Sequence, residues 1–294
     1  MPSNLIQLSD EIAGIVERAG PSVVAIYGGG RVPSSGVHWK AGVIVTAEHS
    51  LRRDEDLKIG LHDGRVVAAE LAGRDPGSDL AVLKFDAGDL PVIQTGGQTG
   101  ETARTGDIVV AVGRHREIGV CAALGIVSVV GPGWNTWRGG RVDQFVRLDV
   151  SLYPGSSGAA IVNAHGEAVG IATSVLSRIA PVAIPRVTVD RVSAELVKRG
   201  YVARGYLGVG LQPVPLPEEL GTAGMIVLSV EKDSPAAKAG LVVGDILIAL
   251  NGRPVKDTRD VQSLLASENI GKSFPASIVR GGKRADISLT VGEK

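Results

Sequence analysis

Residues 159–174 read AAIVNAHGEAVGIATS, two short apolar stretches interrupted by Asn, His and Gly. Neither stretch is long enough for a packed helix, and both are bounded by turn formers, so the segment reads as strand, turn, strand. The same pattern recurs upstream in SVVAIYGGG (22–30), AGVIVTAE (41–48), LAVLKFD (80–86), DIVVAVG (107–113) and GIVSVVGPG (125–133). Short β-rich runs with frequent turn signals predict a sandwich or closed barrel from Val23 to about Ile184. Nothing between them has the pattern of a crossover helix, which excludes a parallel α/β sheet. Immediately before the opening stretch stands YPGSSG (153–158), where Gly155 and Gly158 flank Ser156 and Ser157. Two readings apply to it: a hairpin turn of small residues, or a nucleophilic serine whose glycine-rich backbone turns its amides toward a negative ligand.

The chain of 294 residues has room for two domains. Lysine plus arginine equals aspartate plus glutamate at 31 each, so no overall charge draws the protein to nucleic acid or an anionic membrane. Cys121 is the one cysteine, which rules out an intrachain disulfide and a structural Cys/His zinc site. No metal or cofactor is expected. Residues 1–20 combine Leu8, Ile12, Ile15 and Val16 at helical spacing, with Ser9 as a candidate cap and Gly20-Pro21 as a stop. They lack a basic stretch followed by a long apolar one, which gives a cytoplasmic reading of the sequence as it stands. The alternative is a periplasmic or otherwise extracytoplasmic protein whose export signal has been removed. No run is suited to spanning a bilayer as a helix, and a soluble protein is expected.

PRVTVDRVSAELVKRG (185–200) places Val189, Val192, Leu196 and Val197 at helical spacing and ends on glycine, predicting a helix that closes residues 1–200 as one domain. Residues 201–294 are punctuated differently. Ser234 is positioned to cap a helix that begins at Pro235 and stops before Gly240. Asn251-Gly252 is a two-residue hairpin signal. Asp257 precedes a second helix with Val261, Leu264 and Leu265 on one face, and two strand-like runs surround Gly281-Gly282. A small β-rich domain with two short helices results.

A serine hydroxyl needs a base to take its proton and a carboxylate to orient that base. His49 stands where an alternating strand gives way to a turn in TAEHSL, and Asp79 stands at the entrance of a strand in GSDLAVLKFD. Alone, each is more simply a solvated strand-end histidine and a turn-forming aspartate. Together and in order, TAEHSL, GSDLAVLKFD and PGSSGAAIV resemble the three motif regions of the HtrA (Deg) family of trypsin-like serine proteases. The spacings, 30 residues from His49 to Asp79 and 78 from Asp79 to Ser157, resemble that family as well. RGYLGVGL and DSPAAKAGLVVGDILIALNGRPV resemble its PDZ domain, so the likeness extends from about Val23 to Val291.

The resemblance implies a mainly β chain: a chymotrypsin-like double β-barrel followed by a PDZ domain. It implies Ser157 as nucleophile, His49 as general base and acid, Asp79 as the orienting carboxylate, and the amides of Gly155 and Ser157 as the oxyanion hole. In the second domain it implies a carboxylate-receiving loop at Tyr206, Leu207, Gly208 and Val209, with Leu264 and Leu265 lining a side-chain pocket. The implied activity is ATP-independent endopeptidase action on unfolded or damaged polypeptides, with the PDZ domain binding peptide C-termini, in a homotrimer. Two loops, 131–140 with Trp134 and Trp137 and 174–180, fall where the family has its activation and specificity loops. Ala159-Ala160-Ile161 depart from the family's Gly-Pro-Leu, and a left-handed backbone at Ala159 would cost about 1–2 kcal/mol. That departure motivates the alternative of a catalytically silent peptide-binding scaffold or chaperone.

Other chemistries do not fit. An α/β-hydrolase elbow needs glycine where Ala159 stands. A phosphate loop ending at Gly271-Lys272-Ser273 needs glycine where Ala266 stands, and no H-E-x-x-H occurs.

Overall fold

The computed structural model describes residues 3–96, 103–220, 222–265 and 267–293. It divides into two compact units, Met1–Val202 and Ala203–Lys294.

The first unit opens with α1 (Asn4–Ala19). Its cap is Ser3, whose hydroxyl accepts from the Ile6 amide, so Ser9 lies inside the helix instead of starting it. The sequence offers both serines, and the earlier one wins because the helix can extend by a turn and a half at little cost on its exposed side. Six antiparallel strands follow: β1 (Val23–Tyr27), β2 (Ser34–Lys40), β3 (Val43–Ala47), β4 (Leu57–Gly60), β5 (Val66–Asp75) and β6 (Leu80–Lys84). They close as a barrel in the order β1-β2-β3-β6-β5-β4. Val24, Ile26, Ile44, Leu57, Ile59 and Leu83 fill its core.

A second closed barrel uses β7 (Ile108–His115) and β8 (Gly119–Gly131), then a two-stranded ribbon of β9 (Trp134–Asn135) and β10 (Arg141–Val142) projects from it. The barrel is completed by β11 (Phe145–Asp149), β12 (Ala160–Asn163), β13 (Ala168–Thr173) and β14 (Val182–Pro185). The opening stretch of sequence is the β12–β13 hairpin. Alternation explains the placement: Ala159 and Ile161 face the barrel interior, while Ala160 and Val162 face a larger core shared with the first barrel and with the helices. That core includes Val37, Val45, Leu80, Val110, Val112, Ile171 and Ile184. Helix α2 (Arg186–Arg199) packs onto it through Val189, Val192 and Leu196 and stops at Gly200, whose φ is 82°. Val197 lies off that face and is 37% exposed.

The second unit comprises β15 (Gly205–Tyr206), β16 (Val209–Pro215), β17 (Ala223–Val230), α3 (Pro235–Lys238), β18 (Ile246–Leu250), β19 (Arg253–Pro254), α4 (Thr258–Leu264), β20 (Ser273–Arg280), β21 (Lys283–Thr290) and β22 (Gly292–Glu293). The main sheet runs β16-β17-β18-β20-β21. Ser234 caps α3 by accepting from Ala237 at 3.1 Å. Asn251 and Gly252 have φ of 50° and 73°, the paired positive values that a tight hairpin requires. Asp257 accepts from the Asp260 amide at 3.2 Å at the start of α4. Leu265 falls just past the end of α4, but its side chain still packs on the same core as Leu264. Asp245 is fully buried and accepts two bonds of 2.7 Å from Arg280. Those bonds hold its carboxyl below the ordinary pKa, so the pair stabilises this unit at neutral pH and weakens as acid protonates Asp245.

Candidate active site

Strand β3 ends at Ala47, and the chain turns once through Glu48, His49 and Ser50. Strand β6 begins at Leu80, directly after Asp79. Because β3 and β6 pair with Ala47 opposite Leu80, the two turns meet at one end of the first barrel. Their backbones are tied together: Glu48 N–H donates to the Asp79 carbonyl and His49 N–H to Asp79 Oδ1, each at 3.0 Å. Ser157 comes from the second barrel, three residues before β12 begins.

The three side chains form one line. His49 Nδ1 lies 2.8 Å from Asp79 Oδ2 and 2.9 Å from Oδ1, and His49 Nε2 lies 3.1 Å from Ser157 Oγ. An ionised carboxylate only accepts, so Nδ1 carries the proton and Nε2 is left bare toward the serine hydroxyl. Asp79 is fully buried, with φ of 57°, and the Thr173 hydroxyl at the end of β13 donates to its Oδ2. Three donors thus converge on one buried carboxylate, which is what keeps a buried charge tolerable.

The serine loop is held from below by Ser35 of β2. Its hydroxyl donates to the Gly155 carbonyl at 2.9 Å and accepts from Arg114 N–H at 3.0 Å, while its amide donates to the Ser157 carbonyl at 3.0 Å. Gly155 and Gly158 have φ of 94° and 83°. A Cβ on Gly158 would fall 2.1 Å from the Ser35 carbonyl oxygen, and one on Gly155 would fall 2.8 Å from that of Pro33. Both positions therefore demand glycine. With the loop so turned, the amides of Ser156, Gly158 and Ala159 are taken up by Tyr153, Ala172 and Ser156 carbonyls. Among the described residues, the amides of Gly155 and Ser157 have no acceptor. Ala159 has no positive φ, because Gly158 takes the left-handed turn, and its methyl is buried in the second barrel. The strain that would have argued for a silent scaffold is absent.

The other histidines do different work. His38 is buried between the Pro91 carbonyl and the Gly42 amide, and burial pushes its pKa down. His62 and His165 are exposed. Trp134 packs edge-on against Phe145, whereas Trp137 is 70% exposed beside Arg138. Two participants were missed by sequence reasoning. Thr173 lies within a strand and Ser35 at the start of one, and hydroxyls there carry no signal of their own until the fold aligns them.

In the second unit, Leu207 is buried and its carbonyl accepts from Ala236 N–H at 2.9 Å, while the Gly208 carbonyl accepts from Glu231 N–H at 2.8 Å. Gly208 has φ of 73°. Among the described residues, the amides of Leu207 and Gly208 have no acceptor. Val209 starts β16, an edge strand that pairs with β17 on one side, and α4 packs beside it. Tyr206 donates its hydroxyl to Glu231. Leu264 is buried and Leu265 half-buried in the core of this unit, and the Leu265 carbonyl accepts from Gly205 N–H at 3.0 Å.

Residues 34–171 match the family model of the trypsin-like peptidase domain, and residues 205–291 that of the PDZ domain. Among solved structures, a serine endoprotease from Yersinia pestis is 32% identical, with a TM-score of 0.78 over 100% of this chain and 99% of that one. The HtrA-type protease AlgW, solved with a tripeptide, is 32% identical, with a TM-score of 0.74 over 96% of this chain and 97% of that one. This chain belongs to the HtrA family. Among curated relatives, a DegP-like periplasmic serine endoprotease of Pseudomonas fluorescens is 35% identical over 261 residues, which are 85% of this chain and 54% of that protein. One of Brucella suis is 35% identical over 260 residues, 85% of this chain and 50% of that protein. The chain thus spans about half the length of the curated relatives it matches. Among the described residues, no helix is long and apolar enough to cross a membrane, and no cluster of three metal-ligating side chains occurs.

Proposed function

We propose that this HtrA-family chain is a serine endopeptidase acting on unfolded or damaged polypeptides without ATP. The observation that carries the reading is the continuous contact from Asp79 through His49 to Ser157; a carboxylate that only accepts puts the ring proton on Nδ1 and leaves Nε2 free to accept. On this reading Ser157 Oγ attacks the scissile carbonyl as His49 Nε2 takes its proton. Asp79, steadied by Thr173, holds the imidazolium that forms. The carbonyl oxygen, now negative, moves into the space faced by the amides of Gly155 and Ser157. Each donor of this kind supports about a hundred- to a thousandfold in rate. Collapse passes the proton from Nε2 to the leaving amine and leaves an acyl-Ser157, which water then hydrolyses by the same steps. A fluorophosphonate probe is expected to form a covalent adduct on Ser157, located by peptide mass mapping. An unlabelled, folded protein would mean a silent scaffold.

The division of labour follows the two segments, catalysis in 1–200 and recruitment in 201–294. The free amides of Leu207 and Gly208, with that of Val209, suit a peptide carboxylate, and the open edge of β16 suits main-chain pairing with the peptide. The AlgW structures hold peptides, which supports the same use here. Leu264 and Leu265 serve the core first and the side-chain pocket second. A peptide ending in apolar residues is expected to lose about tenfold or more in affinity when its C-terminus is amidated, measured by fluorescence anisotropy, because the amide loop then faces no charge. Equal affinity of the two peptides would remove the carboxylate site. A homotrimer and a periplasmic location belong to the same proposal, the latter supported by the compartment given for the curated relatives.

A further inference from the structure

The carboxylate of Glu48, the residue just before His49, is only 13% exposed and stands between two guanidiniums. Arg74, from β5 of the same barrel, reaches Oε1 at 3.2 Å and is itself anchored on Asp54 and on the Leu51 carbonyl. Arg138, from the ribbon loop between β9 and β10 of the second barrel, reaches Oε2 at 3.5 Å. That loop is itself built onto the turn that carries Asp79. The buried Thr136 hydroxyl donates to the Gly77 carbonyl at 2.7 Å while accepting from Arg138 and Gly140 amides at 3.2 Å. Gly140 lies so close to Gly77 that a Cβ there would come within 2.2 Å of its carbonyl carbon. The Asp75 carboxylate accepts from Gly77 and Ser78 amides and fixes the other side of that turn.

We infer that Arg138 and Glu48 are positioning residues: their ion pair, crossing from the second barrel to the first, sets the orientation of the His49 turn relative to Ser157. The turn has one residue, Glu48, between strand end and imidazole, so the Glu48 side chain is the nearest lever on its rotation. A clamp from one side only, by Arg74, pulls Glu48 toward β5 with nothing opposing it at the side chain, against the two backbone bonds that tie the turn to Asp79. A displacement of about 1 Å at Nε2 is enough to cost up to a hundredfold in rate. The inference rests on the proposed protease reading for its kinetic arm alone.

The test compares Arg138→Ala, Arg138→Lys and Glu48→Gln with the unchanged chain. Arg138→Ala is expected to lower kcat on an unfolded protein substrate about tenfold with KM within about twofold, and to slow fluorophosphonate labelling of Ser157 by the same factor. Labelling needs no peptide binding, so a purely recruiting role for the loop leaves it unmoved. Arg138→Lys keeps the charge and is expected to recover labelling to within about threefold of the unchanged chain. Proton NMR supplies a readout independent of turnover: the Nδ1–H of His49 gives a downfield resonance that Arg138→Ala and Glu48→Gln broaden or move and Arg138→Lys retains. If the parent chain does not label, the protease reading fails and this resonance still decides the coupling. Unchanged labelling and resonance in Arg138→Ala, or a change confined to KM, overturns the inference. Should Arg138→Ala misfold by near-UV circular dichroism, Glu48→Gln, which preserves shape, decides it by the same readouts.

Discussion

Casein turnover by Ser157→Ala is expected to fall about a million-fold, to the residue left by binding and by the amides of the loop. The substitution deletes one oxygen, whose hydrogen-bond partner in the structure is His49 Nε2 at 3.1 Å. It leaves Gly155, Gly158 and the Ser35 bonds in place, so the folded loop persists. Circular dichroism and the melting temperature should match the parent, which separates lost chemistry from lost structure. Turnover within tenfold of the parent would assign the nucleophile elsewhere.

Asp79→Asn is expected to lower kcat by about ten thousandfold while Ser157 and His49 stay in position. The reason lies in the crowding around this carboxylate. Oδ1 accepts from the His49 amide and from the ring, and Oδ2 accepts from the ring and from Thr173. An asparagine NH2 at the Oδ1 place would face the His49 N–H, donor against donor. It therefore occupies the Oδ2 place, next to Nδ1, where the Thr173 hydroxyl can rotate to accept as a backbone N–H cannot. Nδ1 must then give up its proton and accept, which puts the proton on Nε2 and removes the base from Ser157. Steady-state kinetics on casein, with a crystal structure of the variant to confirm unchanged positions, checks this. A loss below about a hundredfold would mean that the carboxylate does little beyond holding the turn.

Much of the site was legible because its parts announce themselves locally. Gly155 and Gly158 around a serine mark a backbone that must go left-handed, and the structure gives both positive φ values. Asn251-Gly252 and the Ser234-Pro235 cap are equally local, each specified by the conformation of two or three residues. Where two local signals compete, local reading fails: Ser3 and Ser9 both qualify as caps, and the extra helical turn decides for Ser3. Ala159 misled for a related reason. Its place in the motif suggests a left-handed turn at Ala159, whereas the chain turns one residue earlier, at Gly158, and Ala159 has only to fill space in the barrel.

The alternation of apolar residues, the glycines and the turn pairs by themselves determined that this chain forms short antiparallel strands followed by a smaller β-rich unit, because backbone sterics and strand periodicity act over a few residues. The order of His49, Asp79 and Ser157 along the chain was visible too, but their meeting was not. Only the closing of two barrels brings Thr173 onto Asp79 across 94 positions of sequence, and Arg138 onto Glu48. A hydroxyl in a strand or an arginine in a loop has no preferred partner until burial takes water away from it. Packing then selects the one neighbour that can satisfy it.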